Sequence, residues 1–139
     1  MIEFNSENDF ELKNLTNYET WLDQVSNLEG KVINELGYVF CSDEYLIKIN
    51  QQYLNHNTYT DIITFDYCEG VLINGEIYIS TDRIKENAAN YKVEFHTELL
   101  RVMVHGLLHL IGYPDKSDDD KKIMRSKEDF YIKKFKSNI

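Results

Sequence analysis

The sequence predicts an α+β fold: a single domain spanning residues 1–139, in which a small mixed β-sheet is packed with about five helices. Segments with the composition of strands lie mainly in the first part of the chain. The second part is dominated by apolar residues at helical spacing. The chain has 139 residues and one proline, and it shows no low-complexity tract or internal repeat, so its length suits one hydrophobic core.

Each predicted element rests on a local pattern. The predicted strands are 2–6, 38–41, 60–65 and 75–80, and the predicted helices begin at Thr16, Ser42, Ser80 or Thr81, Glu94 and Ser117. A capping box from Thr16 to Glu19 marks the first helix, and Ser42 is the expected N-cap of the second. The apolar residues at helical spacing in these two helices are Tyr18, Trp21, Leu22, Val25, Leu28, Leu46, Ile49 and Tyr53.

Turn and capping residues separate the elements that follow. β-branched and aromatic residues fill 60–65 and 75–80, and Asn74-Gly75 has the composition of a tight hairpin turn leading into the second of these strands. The third helix is expected to end near Tyr91, and three aspartates favour the start of the last helix. The expected inward residues of the last helix are Ile123, Met124, Phe130, Tyr131 and Phe135.

Composition restricts the possible functions. The formal net charge is −9, which argues against a general nucleic-acid binder held by phosphate contacts. Residues 121–139 nevertheless carry seven Lys or Arg against two carboxylates, and these cations are either an RNA contact or the solvated face of a helix. Without a secretory signal or a bilayer-spanning apolar stretch, a cytoplasmic protein without a membrane partner is predicted, with Cys41 and Cys68 as reduced core residues.

Two histidines inside the apolar fourth helix are the strongest functional signal. His105 and His109 are four residues apart, so their imidazoles share one helix face and can meet at one point. Gly112 offers an end to that helix and Pro114 prevents its continuation, which allows Asp115 to turn back. The spacing predicts a zinc site at the C-terminal half of a buried helix, with His105, His109 and Asp115 as ligands and a fourth position for an activated water.

Other residues of the same helix bear on this interpretation. Glu98 and Arg101 fall on the same face of the helix as the two histidines. Because unpaired buried charge is unfavourable, we expect this row of ionisable side chains to face a cleft or a metal. The alternative is that both histidines are satisfied core groups. Gly106 occupies the position of the glutamate that serves as general base in H-E-x-x-H zinc peptidases, so a peptidase is the weaker interpretation.

The histidine segment resembles a known family signature. His105-Gly-Leu-Leu-His-Leu-Ile-Gly-Tyr-Pro-Asp115 is similar to the H-G-x-L-H-L-x-G-Y-D-H motif of the YbeY family of bacterial rRNA maturation endoribonucleases. Upstream, Asn50-Gln-Gln-Tyr53, Thr60-Asp-Ile-Ile-Thr-Phe65 and Gly75-Glu-Ile77 resemble the family's N-x-x-Y-R, T-D-V-L-S-F and G-D-I segments. The resemblance runs from about Tyr38 to the C-terminal helix. It implies a small α+β metalloprotein, a zinc site, cleavage of single-stranded RNA and action at the 3′ end of 16S rRNA.

Two residues depart from the family pattern. Asp115 stands where the family has a third histidine; zinc accepts this ligand set, which also suits manganese or nickel. Asp115 is alternatively a turn residue after Pro114. Leu54 stands where the family has an arginine that handles phosphate, and leucine cannot bind phosphate. Arg101 is therefore the first candidate for a catalytic phosphate contact and His56 the second, unless His56 is an exposed loop residue without a role.

These observations predict a metal-dependent single-strand endoribonuclease acting in rRNA maturation and ribosome quality control. Zn²⁺ is the expected cofactor, one ion per chain. RNA is the expected substrate, and a ribosomal subunit or a ribosome-associated protein is the expected partner. Two alternatives stay open: a metallopeptidase-like hydrolase, and a non-catalytic ribosome assembly factor whose metal is structural. A closed fourth coordination position would favour the latter.

Overall fold

The structure is a computed structural model that describes residues 1–54 and 60–137. Within these residues, four strands form one mixed sheet and five helices pack around it. The strands are β1 (Ile2–Ser6), β2 (Val32–Cys41), β3 (Ile62–Asp66) and β4 (Leu72–Ser80). The helices are α1 (Leu15–Leu28), α2 (Asp43–Leu54), α3 (Thr81–Tyr91), α4 (Phe95–Ile111) and α5 (Asp118–Ser137). The predicted α+β fold class is confirmed.

The sheet has the strand order β1-β2-β4-β3, so β2 and β4 are central. β1 and β4 both run parallel to β2, whereas β3 pairs antiparallel with β4. Alternate residues of β2 are buried, as expected of a strand with one face on the core. The hydroxyl of Tyr38, fully buried in β2, donates to the carbonyl of Met103 at 2.8 Å and so joins the sheet to α4.

Helix α4 is the centre of the core and packs closely against the sheet. Most of its side chains are buried, from Glu98 to Leu110. At Gly106 a Cβ atom would lie 2.8 Å from Cδ1 of Ile62 and 2.9 Å from Cγ2 of Ile77. This glycine therefore sets the distance of the helix from β3 and β4. Apolar as α4 is, no helix among the described residues has both the length and the hydropathy needed to cross a bilayer.

The predicted hairpin turn at Asn74-Gly75 was wrong, because both residues lie inside β4. The connection between β3 and β4 lies earlier, where Gly70 has a φ of +56° and Glu69 bridges to Leu72. A Cβ atom on Gly75 would lie 2.6 Å from the backbone oxygen of Phe65. The glycine is thus needed for the close approach of two paired strands and not for a turn.

Two further local predictions need correction. Thr16 lies inside α1, and the N-cap is Asn14, which has a left-handed backbone and makes no capping hydrogen bond through its side chain. β2 begins at Val32, earlier than predicted, because Gly37 continues the strand. Its pairing with β4 extends through the glycine, so neighbouring strands outweigh the low strand propensity of that residue.

The inward face of α5 was predicted in part. Met124, Tyr131 and Phe135 are buried, but Ile123 and Phe130 are 50% and 51% exposed. A carboxylate, Glu128, takes a buried position of the same face and is 5% exposed. Of the apolar residues predicted for the first two helices, Leu28 and Tyr53 are also exposed. Neither Cys41, which is buried, nor Cys68 is in a disulfide.

Candidate functional site

A cleft of about 430 Å³ lies between α3, α4 and α5. It is lined by four residues that the sequence had indicated, namely Arg101, His105, Glu98 and Asp115, and by two that it had not, namely Asp61 and Glu128. Helix α4 supplies the first two from one face, since they are four residues apart. A cleft of this size, with ionisable groups converging on it, is the expected form of a site for a small ligand or a substrate group.

His105 is held by a buried carboxylate. Its Nδ1 lies 2.7 Å from Oε2 of Glu128, whereas its Nε2 faces Oδ2 of Asp115 at 3.6 Å, beyond hydrogen-bond distance. Burial lowers the pKa of His105, but the hydrogen bond and the charge of Glu128 outweigh burial and raise the pKa above its ordinary value. When Nδ1 donates to Glu128, the neutral ring keeps its lone pair on Nε2, which is the nitrogen that would bind a metal.

A left-handed turn brings Asp115 back to α4. Gly112 has a φ of +125°, and its N–H donates to the carbonyls of Leu108 and His109, both at 3.1 Å. The N–H of Tyr113 also donates to Leu108, at 3.0 Å. These bonds close the C-terminus of the helix and reverse the chain, which places the carboxylate of Asp115 opposite His105.

His109 is the exposed member of the histidine pair. Its ring centroid lies 5.4 Å from that of His105, with the two planes at 77°. Partial burial and the nearby charge of His105 lower the pKa of His109, which favours the neutral imidazole that can bind a metal. Among the described residues, His105 is the histidine that lines the cleft, whereas His109 lies beside the cleft and is not part of its lining. His96 instead meets the hydroxyl of Tyr18 at 2.9 Å.

The residues fit a divalent metal by their chemistry. Among residues 1–54 and 60–137, no group of three His, Cys, Asp or Glu side chains stands ready to hold an ion. His105 and Asp115 face each other in the cleft, and Glu128 is the outer carboxylate that ligating histidines commonly have. His109 is exposed one helical turn away and is therefore free to change rotamer. Two imidazoles and one carboxylate are a donor set that zinc accepts.

Arg101 lines the cleft, and its guanidinium forms salt bridges with two carboxylates. Its Nη1 donates to Oε1 of Glu128 at 3.0 Å and its Nη2 to Oδ1 of Asp129 at 2.8 Å, and its side chain is 16% exposed. Through Glu128 it also supports the carboxylate that holds His105. His56, the second predicted catalytic residue, lies outside the described residues, as does the side chain of Leu54.

Sequence reasoning missed two acidic residues of the site. Glu128 lies four residues after Met124 and three before Tyr131, on the buried face of α5, and this position was the available signal. Asp61 precedes β3, and burial raises its pKa although the charge of His105 lowers it. Glu98, also in the cleft, has a pKa raised by burial and lowered in part by Arg101.

Comparisons with known proteins show the family of this chain. A family model described as Endoribonuclease YbeY matches residues 2–136. Endoribonuclease YbeY of Flavobacterium psychrophilum is 55% identical over 135 residues, which are 97% of this chain and 96% of that protein. The protein of the same name from Flavobacterium johnsoniae is 51% identical over 135 residues, 97% of both chains.

A solved structure shows the same fold. The solution structure of TM1509 from Thermotoga maritima matches with a TM-score of 0.70 at 28% identity, covering 99% of this chain and 91% of that one. The family match spans nearly the whole chain and includes the histidine helix, the turn at Gly112 and Asp115. The chain therefore belongs to the endoribonuclease YbeY family.

Proposed function

We propose that this protein is a metal-dependent endoribonuclease that cleaves single-stranded RNA during rRNA maturation. Family membership supports the reaction class, since the relatives bear the name Endoribonuclease YbeY. The observation that carries the proposal is the His105 ring, held at Nδ1 by Glu128 and presenting Nε2 to Asp115 inside a cleft. This arrangement suits a metal and a substrate phosphate, and it is built on the family's motif.

Zinc is the proposed cofactor, with His105, His109 and Asp115 as its ligands and with manganese or nickel as alternatives. When bound, such an ion lowers the pKa of a water molecule and polarises a phosphoryl oxygen. Glu128 keeps the His105 proton on Nδ1, and Arg101 balances the charge of Glu128. The role of Arg101 as a phosphate contact stays a prediction, because two carboxylates hold its guanidinium.

The geometry at Gly106 supports a nuclease over a peptidase. The position that carries the general base in H-E-x-x-H peptidases faces the sheet here, with Ile62 and Ile77 within 3 Å of a would-be Cβ. A glutamate at this position would be forced into the core and away from the cleft. A phosphodiester needs no carboxylate at that position, because the ion can activate the water directly.

The proposed substrate is rRNA, at the 3′ end of the 16S molecule, and the proposed partner is a ribosomal subunit or a ribosome-associated protein in the cytoplasm. The formal net charge of −9 supports the need for a partner, since an acidic protein is repelled by RNA phosphates over most of its surface. A non-catalytic assembly factor with a structural metal is the alternative.

Cleavage assays on purified protein test the proposal. Zinc-loaded protein is expected to cut single-stranded RNA and fragments of 16S rRNA, with or without ribosomal subunits, and to leave a casein substrate intact. His109→Ala should abolish cleavage and still fold, since the side chain is exposed. His96→Gln, on the same helix outside the cleft, is the matched control and should retain activity. Cleavage that survives loss of His109 would be a contaminant, and a wild-type protein without activity would favour the assembly factor.

A further inference from the structure

Two cations of the cleft form no salt bridge within the part of the chain that the structure describes. Lys121 and Arg125 line it from α5, one helical turn apart, and both are exposed. Neither side chain forms a salt bridge with any residue of 1–54 or 60–137, in contrast to Arg101, which has two carboxylate partners. An exposed pair of cations without salt-bridge partners among the described residues is suited to bind a phosphate group at the edge of a cleft.

Two polar residues of α3 line the same cleft. Asn87 and Tyr91 are four residues apart, so both lie on one face of that helix. The side chain of Tyr91 is 63% exposed at the end of the helix. An exposed aromatic ring offers a stacking surface for a nucleobase, and an amide can both donate to and accept from the edge of a base.

The dimensions of the cleft admit one nucleotide. Its volume of about 430 Å³ lies within the range of pockets that hold small ligands. Along α4 it extends from Glu98 to His105, which at a rise of 1.5 Å per residue is a length of about 10 Å. A nucleotide bound there would lie next to the His105 and Asp115 pair, and its strand could continue into the proposed catalytic position.

The four carboxylates of the cleft, which belong to Asp61, Glu98, Asp115 and Glu128, are all less exposed than its two cations from α5. The two glutamates of the cleft, Glu98 and Glu128, are each 5% exposed, and Glu128 is paired with Arg101. Their charges are therefore largely removed from the mouth of the cleft. Lys121 and Arg125 are the exposed charged side chains among the described residues that line the cleft, so the α5 side of the lining carries two exposed cations although the protein as a whole is acidic.

We propose that the α5 cations and the polar pair of α3 form a subsite for one nucleotide of a single-stranded RNA. Lys121 and Arg125 bind a backbone phosphate, and the base stacks on Tyr91 beside the amide of Asn87. The subsite rests on the proposed function for the identity of the strand as RNA. It supplies from α5 the phosphate contact that Leu54 cannot make.

RNA binding, measured apart from cleavage, tests the α5 side of this subsite. The probe is a fluorescein-labelled single-stranded RNA of roughly ten nucleotides, titrated with the full-length chain in chelator and followed by anisotropy at several salt concentrations. Arg125→Ala and Lys121→Ala should each weaken binding roughly three- to tenfold and lower the slope of log affinity against log salt by about 0.7. Lys133→Ala, which removes an exposed cation of the same helix outside the cleft, should change neither.

Variants of Tyr91 test the α3 side. Tyr91→Phe should bind as the wild type does, whereas Tyr91→Ala should bind about tenfold more weakly, because only the ring face is needed for stacking. All these side chains are exposed, and unchanged circular dichroism and urea midpoints would verify the fold.

The outcomes separate the subsite from the catalytic proposal. The subsite is contradicted if Arg125→Ala and Lys121→Ala behave like Lys133→Ala, if only Arg101→Ala lowers the salt slope, or if wild-type protein does not bind the probe. A wild-type protein that binds RNA with the expected dependence on Arg125 but never cleaves it would contradict the proposed function and support the subsite.

Discussion

At the scale of single residues, the buried carboxylate of Glu128 organises the site. It accepts hydrogen bonds from His105 and Arg101, one at each oxygen. An unpaired carboxylate that is only 5% exposed would be strongly unfavourable. The positions of the three side chains therefore depend on one another. The His105 ring is held in the orientation in which its Nδ1 contacts the carboxylate of Glu128.

Glu128→Gln should weaken zinc binding while the protein stays folded. The amide preserves the shape of the carboxylate but removes the charge that holds the Nδ1 proton, and loss of such an outer partner lowers metal affinity roughly 10- to 100-fold. The measurement is competition with a chromophoric chelator. Asp129→Asn is the matched control, since Asp129 also binds Arg101 but does not contact His105. Equal losses in the two variants would mean that Glu128 does not act through His105.

Asp115 decides the ligand set. If it is a ligand, Asp115→Ala should lower zinc affinity by a large factor without unfolding the apo protein, because the residue lies in a turn and its side chain is 30% exposed. Asp115→His should retain or strengthen binding, since imidazole is a good zinc ligand. An alanine variant with unchanged affinity in the chelator assay would make Asp115 a turn residue only.

At the scale of elements, two contacts position the histidine helix. The first is the close packing of α4 against the sheet at Gly106. The second is a cluster around Glu29, next to the C-terminus of α1, whose carboxylate accepts hydrogen bonds from Tyr113, Lys127 and Tyr131. Because Tyr113 follows the turn at Gly112, this cluster holds the segment that carries Asp115.

Gly106→Ala should destabilise the protein, and Ile62→Val should reduce that effect. The added methyl group overpacks the contact with the sheet, at roughly 1–3 kcal/mol, which exceeds the gain of about 1 kcal/mol in helix propensity. Ile62→Val removes the Cδ1 atom nearest to the new methyl group. The measurement is a double-mutant cycle by urea unfolding. Additive losses would show that α4 is not held at this distance by Ile62.

Glu29 should make the protein less stable in acid. Burial alone would raise the pKa of Glu29, but hydrogen bonds from two tyrosines and Lys127 outweigh burial and lower the pKa below its ordinary value. A carboxylate with a lowered folded-state pKa contributes stability that is present above the ordinary pKa of about 4.3 and is lost as the pH falls through the folded-state value.

The Glu29→Gln variant isolates this contribution. At neutral pH it should be less stable than the wild type by roughly 1–3 kcal/mol, since hydrogen bonds to a charged group are lost. The difference in free energy of unfolding should shrink as the pH falls below about 4. Asp23→Asn, which neutralises an exposed carboxylate of α1, is the control and should show neither effect. A pH-independent difference would contradict the assignment.

At the scale of the whole molecule, the core is apolar and the proposed metal site lies outside it. The buried faces of α1, α4 and α5 and the central strands form one continuous apolar cluster, and the cleft lies at its edge. The proposed metal would therefore bind to a protein that is already folded, in contrast to small domains that fold only with zinc.

Removal of metal by a chelator should leave the fold intact and abolish RNA cleavage. Added zinc should raise the free energy of unfolding by about 2.7 kcal/mol at a free concentration one hundred times the Kd. Urea unfolding with and without zinc measures this effect, and His109→Ala should show none of it. If the protein without metal is unfolded, or unfolds at a low urea concentration, the metal is structural and the assembly-factor alternative is favoured.

The sequence by itself determined the features that depend on neighbouring residues. Periodicity indicated the buried helix, the spacing of His105 and His109 put them on one face, and Gly112 with Pro114 indicated the reversal toward Asp115. These depend on backbone geometry within a few positions, so local patterns suffice. The α+β class also followed, because strand-like and helical segments differ in period.

Only the tertiary structure decided the contacts between distant segments. The bond from His105 to Glu128 joins residues 23 positions apart, and the engagement of Arg101 depends on the same packing of α5 against α4. Asn74-Gly75 has the composition of a turn, yet pairing with both neighbours of β4 makes it a strand. Gly106 is required because β3 and β4 pack closely against α4 at this position. The sequence of α4 alone does not show where the sheet will pack. Such choices depend on which surfaces meet, and no local pattern contains that information.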